Sequence, residues 1–334
     1  MAIRPAPLVP GPRRPLVDGG DLPAGGVRRT TTIDTLRPID PPGPAVLALS
    51  GRDVALDAAG TVVHAGTADF SAEVDTTGVV TSIAGDLPDH LLRPLVGASV
   101  RAGFGGLVAR SIPNEMEHRT LAASLLEDLS GGYFVSGTVL LWAGENAIDD
   151  AGLELVSDMQ GDVCAGWRRD GQQFTHLAEN LEIASPSGAP APDLAATAGS
   201  VGWHEVDSLA PHTHRRARRL DLVPTHDGLR LSAHFRDSVA DGDSELVLHE
   251  YRVDAGVDPE GKVTAVTVAA LVLPWAECPA AVASAQRVVG ERLADLPTFM
   301  RRGLVGAETC THLNTTLRAL ADAIALDEVR QALS

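Results

Sequence analysis

The feature that most restricts how this chain can fold is a correspondence between its two halves. Val74-Asp75-Thr76-Thr77-Gly78-Val79-Val80-Thr81 aligns with Val257-Asp258-Pro259-Glu260-Gly261-Lys262-Val263-Thr264. Each is an acid-x-x-Gly turn between runs of alternating or β-branched apolar residues, the pattern of a hairpin. The order of features around the turns also agrees. Arg28-Arg29 and Leu47-Ala48-Leu49-Ser50 precede the first turn, and Arg218-Arg219 and Leu229-Arg230-Leu231-Ser232 precede the second; Leu87-Pro88 and Leu273-Pro274 follow them. Both halves then close on a helical segment with a histidine near its start (His118, His312) and an aspartate ten residues on (Asp128, Asp322). Self-similarity of this kind reads as one supersecondary unit used twice. The expected fold is α+β: two pseudo-repeated antiparallel-sheet-plus-helices units with a non-repeated middle segment.

Within the second unit, strands are expected near 217–223, 228–236, 245–255 and 262–273, with helices near 276–290, 294–301 and 310–325. Leu313, Leu317, Leu320 and Ile324 fall at helical spacing and read as a core stripe. The chain divides into a flexible tail (1–27), a first unit (28–130), a middle strand-and-loop segment (131–205) and a second unit (206–334) that carries the candidate site. The middle segment reads as a strand from Tyr133 to Trp142 followed by a Pro/Ala/Gly/Ser-rich exposed linker, Ser185 to Ser200. His204, His212 and His214 read as part of a solvated linker.

Charge excludes some functions. A net charge of −17 has the wrong sign for phosphates, and the one basic cluster (Arg215, Arg216, Arg218, Arg219) is too short to reverse it, so no nucleic acid and no membrane surface is expected as a partner. The N-terminal residues lack the apolar stretch of a secretory signal, and no apolar run is long enough to span a bilayer. Three cysteines, an odd number, suit reduced thiols in a cytoplasm. No glycine-rich phosphate loop or dinucleotide fingerprint occurs, so no nucleotide cofactor is expected.

The chemistry concentrates in the second half, which holds Cys278, Cys310 and His312, whereas the first unit has no cysteine. Cys310 stands just before the closing helix in Cys310-Thr311-His312-Leu313, where the helix dipole and free N–H groups favour thiolate. Cys278 precedes Pro279 at another helix start, so the two thiols can converge. His249-Glu250 at the head of a strand adds an imidazole and a carboxylate. The candidate metal ligands are therefore His249, Glu250, Cys278 and Cys310, a set suited to one divalent ion such as zinc or iron. Cys310, His312 and Cys164 are the candidate catalytic residues, and Trp167 and Trp275 the candidate walls of a small-molecule pocket.

Paired arginines (Arg218-Arg219), Asp227-Gly228-Leu229, His249-Glu250-Tyr251, Cys278-Pro279 and Cys310-Thr311-His312-Leu313 together make the region of about residues 216–328 resemble a bacterial domain-of-unknown-function family, DUF2889. Thr309 stands where that pattern has a glycine, and Glu250 where it has an aspartate. More distantly, the order of strand, Asp-x-x-Gly hairpin, strand and two helix-initial cysteines is similar to that of iron–sulfur cluster scaffold proteins. That likeness implies a third thiol where this chain has Leu248-His249-Glu250, which favours a mononuclear metal over a cluster.

The function expected from these residues is a metal- or thiol-dependent enzyme of lyase or hydrolase type acting on a small aromatic or acyl metabolite. The alternative is a non-catalytic metal-binding or scaffold-like protein. A homo-oligomer is left open.

Overall fold

The computed structural model describes residues 8–101, 103–144 and 147–333; residues 1–7 of the expected tail lie outside the described residues. Among the described residues, nine strands form one antiparallel sheet: β1 (Val27–Leu36), β2 (Ala45–Leu56), β3 (Val62–Val74), β4 (Val80–Gly85), β5 (Ala189–Pro190), β6 (Thr213–Thr225), β7 (Gly228–Asp241), β8 (Ser244–Val257) and β9 (Val263–Val272). The order is β4-β3-β2-β1-β6-β7-β8, with β8 pairing both β9 and the short β5. Two four-stranded meanders thus join edge to edge through β1 and β6, in register from Val27↔Leu222 to Leu36↔Thr213.

Both acid-x-x-Gly turns form, by the same means. Asp75 Oδ1 accepts from the Thr77 and Val79 N–H groups, and Asp258 Oδ1 from those of Glu260 and Lys262. Gly78 and Gly261 take φ of +87° and +78°, a left-handed conformation that glycine adopts without a Cβ clash. A register irregularity follows at matching places, at Glu73/Val74 and Gly256/Val257.

The helices are α1 (Asp89–Leu92), α2 (Phe104–Ser111), α3 (Pro113–Glu117), α4 (Leu121–Val135), α5 (Gly137–Trp142), α6 (Asp150–Gln160), α7 (Gln172–Asn180), α8 (Leu296–Gly303), α9 (Thr311–Ala319) and α10 (Ala323–Ala332), of which α4, α5, α9 and α10 pack on the sheet. The expected helix at 276–290 is a run of 3-10 turns, Cys278–Val288. Each half has its own apolar core. Ile33, Leu47, Leu49, Phe70 and Val74 pack under Leu125, Leu126 and Leu129, and Leu222, Leu231, Tyr251 and Val253 pack under Leu313, Leu317 and Leu320.

Three expectations are corrected. Tyr133–Trp142 is helical, not a strand: α4 carries Tyr133 into place over Arg37 (4.1 Å to the ring centroid), where its hydroxyl donates to Asp75 O at 3.2 Å. Tertiary packing there outweighs the β-propensity of the run. The N-terminal residues from 8 onward are no loose tail, since Pro12 O and Val9 O accept from Leu273 N and Ala276 N, and Leu16 N donates to Glu250. Ser185 to Ser200 is no exposed linker: β5 pairs with β8, and Leu194, Thr197 and Ala198 are buried.

The seam between the halves is ionic. Arg28, Arg29, Arg215, Arg216, Arg218 and Arg219 are all buried on β1 and β6. Buried charge is costly unless paired, and four of these guanidiniums make two-pronged contacts with a carboxylate. The pairs are Arg28–Asp221, Arg215–Asp34, Arg29–Asp53 and Arg216–Asp237. The basic cluster read in the sequence is therefore interior.

Candidate metal and thiol centre

Three neighbouring strands lay the site out as a row. Arg216 on β6 lies opposite Asp237 on β7, which lies opposite His249 on β8. Directly cross-strand side chains share a face. The next row on that face is Arg218, Phe235 and Tyr251. A bulge at Asp237/Ser238 leaves Leu248 as an extra residue, and this is what turns His249 toward Asp237.

The start of α9 supplies the rest. The His312 ring stacks on His249 with centroids 3.7 Å apart and planes 16° from parallel, and meets Phe235 edge-on at 5.8 Å. Its Nε2 lies 3.3 Å from Asp237 Oδ2, and its Nδ1 lies 3.7 Å from Cys310 Sγ. The donor atoms of Asp237, His249 and His312 all lie within 4.8 Å of one another. Neither His249 Nδ1 nor His312 Nε2 makes a well-formed hydrogen bond. His214 completes the surroundings, fully buried, with Nε2 3.5 Å from Asp237 Oδ1. The site opens on its imidazole side: Asp237 is 0% exposed, whereas the His312 side chain is 12% exposed and His249 is half-buried.

Electrostatics divides the roles. Burial alone would raise Asp237, but the Arg216 guanidinium and His214 outweigh it and hold the carboxyl well below its usual range. Burial pushes His312 down to about 4 and, with His312 facing it, His249 well below the ordinary imidazole value. The cluster at neutral pH is thus a carboxylate and two neutral imidazoles, the ionisation state that a divalent cation needs from its ligands.

The three thiols lie buried near one another beside this cluster. Cys310, Cys278 and Cys164 are all buried and unpaired. The 3-10 turn Ala165–Trp167 is pinned by Ala165 N donating to Thr309 O (2.8 Å), and Gly166 lies so close that a Cβ there would come 2.8 Å from Cys278 Sγ and 3.1 Å from Trp275. Tyr251 turns toward all three thiols, and its buried hydroxyl makes no well-formed hydrogen bond. Burial pushes Cys164 up to about 12 and Cys278 well above the usual thiol value. Cys310 is raised too, because burial outweighs the help of Tyr251 and the Leu313 and His312 N–H groups. The expected thiolate at the α9 N-terminus is therefore corrected to a thiol.

The residues singled out in the sequence fall into two groups. Cys164, Cys278, Cys310, His312, His249 and Trp275 come together. Glu250 does not: successive strand residues point to opposite faces, and Glu250 bonds His234, Arg236 and Leu16 N on the other side of the sheet. Among the described residues, the set of donors close enough for one ion contains Asp237 and neither Glu250, Cys278 nor Cys310. Trp167 stacks edge-on against Phe174 at 5.9 Å, while Trp275 is buried beside Gly166. Sequence reasoning missed Asp237, Arg216 and Tyr251 as site residues, and the reading of His204 and His214 as a solvated linker is corrected: His204 is buried against Thr30 and Thr32, and His214 is fully buried on β6 beside Asp237. Only the hairpin register could have exposed Asp237, and the bulge shifts that register by one residue.

Residues 214–326, about a third of the chain, match the family model described as "Protein of unknown function (DUF2889)", so this region is identified with a domain-of-unknown-function family. The match includes Asp237, His249, Tyr251, Cys278, Cys310 and His312. No curated protein and no solved structure matches the chain. Among the described residues, no helix is long and apolar enough to cross a membrane.

Proposed function

We propose that this protein is a divalent-metal-dependent enzyme of lyase or hydrolase type, acting on a small acyl or aromatic metabolite, with Asp237, His249 and His312 as the metal ligands. The observation that carries this reading is the meeting of one carboxylate and two imidazoles within 4.8 Å, with ring nitrogens left unpartnered. Two imidazoles and a carboxylate suit a borderline ion such as zinc or iron, and three protein ligands leave a position for water or substrate. When bound there, the ion supplies Lewis acidity and an acidified water. Cys310 and Tyr251 stay protonated beside it and serve as proton donors, and Arg216 fixes the carboxylate. Elemental analysis of the purified protein, with and without chelation, followed by a panel of acyl esters and aromatic carbonyl compounds, tests the reading. Turnover lost on chelation and restored by zinc or iron(II) supports it; full turnover after chelation, with no metal bound, removes it.

A second reading rests on the chain Cys310 Sγ, His312 Nδ1, His312 Nε2, Asp237 Oδ2, with separations of 3.7 and 3.3 Å. This is the atom order of a thiol-imidazole-carboxylate relay. Chelator-resistant activity abolished by Cys310→Ser would favour it.

The internal duplication belongs to the same proposal. The rows Arg29–Asp53–Gly66 and Arg216–Asp237–His249 occupy matching positions on matching strands, and the pairs Arg28–Asp221 and Arg215–Asp34 exchange places across the β1–β6 seam. On this reading Arg215-Arg216, not Arg218-Arg219, are the counterparts of Arg28-Arg29. The first half keeps the Arg–Asp pair but has glycine at the position of His249, so one copy carries the site.

A further inference from the structure

We infer that the first half of the chain completes the metal site of the second half, with Asp128 on α4 as a positioning residue acting through Arg216 on the ligand Asp237; this rests on the metal reading above. Asp128 Oδ1 accepts from Arg216 Nη1 at 3.2 Å, while the other two nitrogens of that guanidinium, Nε and Nη2, each donate to an Asp237 oxygen at 2.9 Å. All three nitrogens of the guanidinium are thereby engaged, and the carboxylate plane of Asp237 is fixed relative to an element from the other half of the sheet. Outer partners of this kind set ligand orientation and basicity.

The sequence of α4 is adapted to this contact. Gly131 lies inside the helix, where glycine is unfavourable, yet a Cβ at this position would overlap Arg216 Nη1 and come 3.1 Å from both Arg216 Cζ and Asp128 Oδ1. The bare Cα is the gap through which Arg216 passes under the helix. The reciprocal contact across the seam lacks this form. Asp322, the counterpart of Asp128, bonds Arg119 and Ser124 and lies 3.8 Å from Arg29, beside a row with no histidine.

That near-symmetry gives a matched control. Asp128→Asn and Asp322→Asn each remove one buried charge from the same ionic seam. Zinc binding to the full-length metal-free protein is measured by titration calorimetry for the wild type, both variants and His249→Ala, alongside thermal melting without metal. The inference predicts that both Asn variants melt at lower temperature, that Asp128→Asn weakens zinc binding roughly 10- to 100-fold, and that Asp322→Asn binds zinc as the wild type does. Equal zinc affinity in all three folded proteins, or equal weakening in both Asn variants, overturns the positioning role. Zinc binding that His249→Ala leaves unchanged, or none in the wild type, instead overturns the metal reading and this inference with it. If Asp128→Asn does not fold, Gly131→Ala is measured in its place with the same expected loss.

Discussion

Replacing Gly131 by alanine separates two effects of opposite sign. Helix propensity alone favours alanine over glycine by about 1 kcal/mol in a helix interior. Against this, the new methyl group occupies the space of Arg216 Nη1, and Arg216 cannot swing aside without releasing Asp237, which it grips through two bonds of 2.9 Å while only 3% exposed. The contact sacrificed is the 3.2 Å charge-assisted bond to Asp128. Hydrogen bonds to charged groups contribute about 1.5–3 kcal/mol, and Asp128 keeps weaker partners in Arg218 at 3.4 Å and Arg318 at 3.8 Å. The difference is a net destabilisation of about 0.5–2 kcal/mol. Urea unfolding of the metal-free protein at neutral pH reads it directly as a lower midpoint with an unchanged slope. A variant stabilised by the full propensity gain would refute the claim that Arg216 is threaded beneath α4.

Other outcomes follow from the same structure. Leu317→Ala, in the fully buried stripe of α9, should cost about 2–5 kcal/mol in urea unfolding and leave zinc affinity intact. His312→Gln should abolish zinc binding measured by calorimetry, whereas His118→Gln should not, because His118, at the end of α3, is 60% exposed and lies against the exposed Glu328. Glu127 and Asp322 are held below their ordinary values by Arg318 and Arg119 against the cost of burial, so the stability they contribute is present above about pH 4.5 and lost as pH falls through their lowered values. Thermal melting from pH 7 down to pH 3 should show that loss, and Asp322→Asn should flatten it. The three thiols, raised by burial, should react with a thiol-directed reagent at pH 7.5 only on the timescale of unfolding.

The fold was more legible in the sequence than the site, for physical reasons. Turns such as Asp75-x-x-Gly78 and Asp258-x-x-Gly261 are local, because the aspartate bonds its own backbone within four residues, so their sequence suffices. The stripe Leu313, Leu317 and Leu320 is likewise local and lies in the core. Tyr133–Trp142 misled because its β-branched residues favour a strand in isolation and its helix is imposed by packing over Arg37. In the site, Cys278, Cys310 and His312 could be found because helix starts are legible. Asp237 could not, since its approach to His249 depends on one bulged residue, Leu248, that shifts the register of a hairpin. Glu250 stands next to His249 in the chain, but strand alternation sends it to the opposite face.

X-ray absorption at the zinc edge of the zinc-loaded protein tests the central claim most directly, because it separates the ligand set expected from the sequence, half of it sulfur, from the set the fold assembles. With Asp237, His249 and His312 as ligands, the first shell should contain only nitrogen and oxygen at about 2.0–2.2 Å, with the outer-shell scattering of two imidazoles. A sulfur shell at about 2.3 Å would contradict the account and return the ion to Cys278 and Cys310.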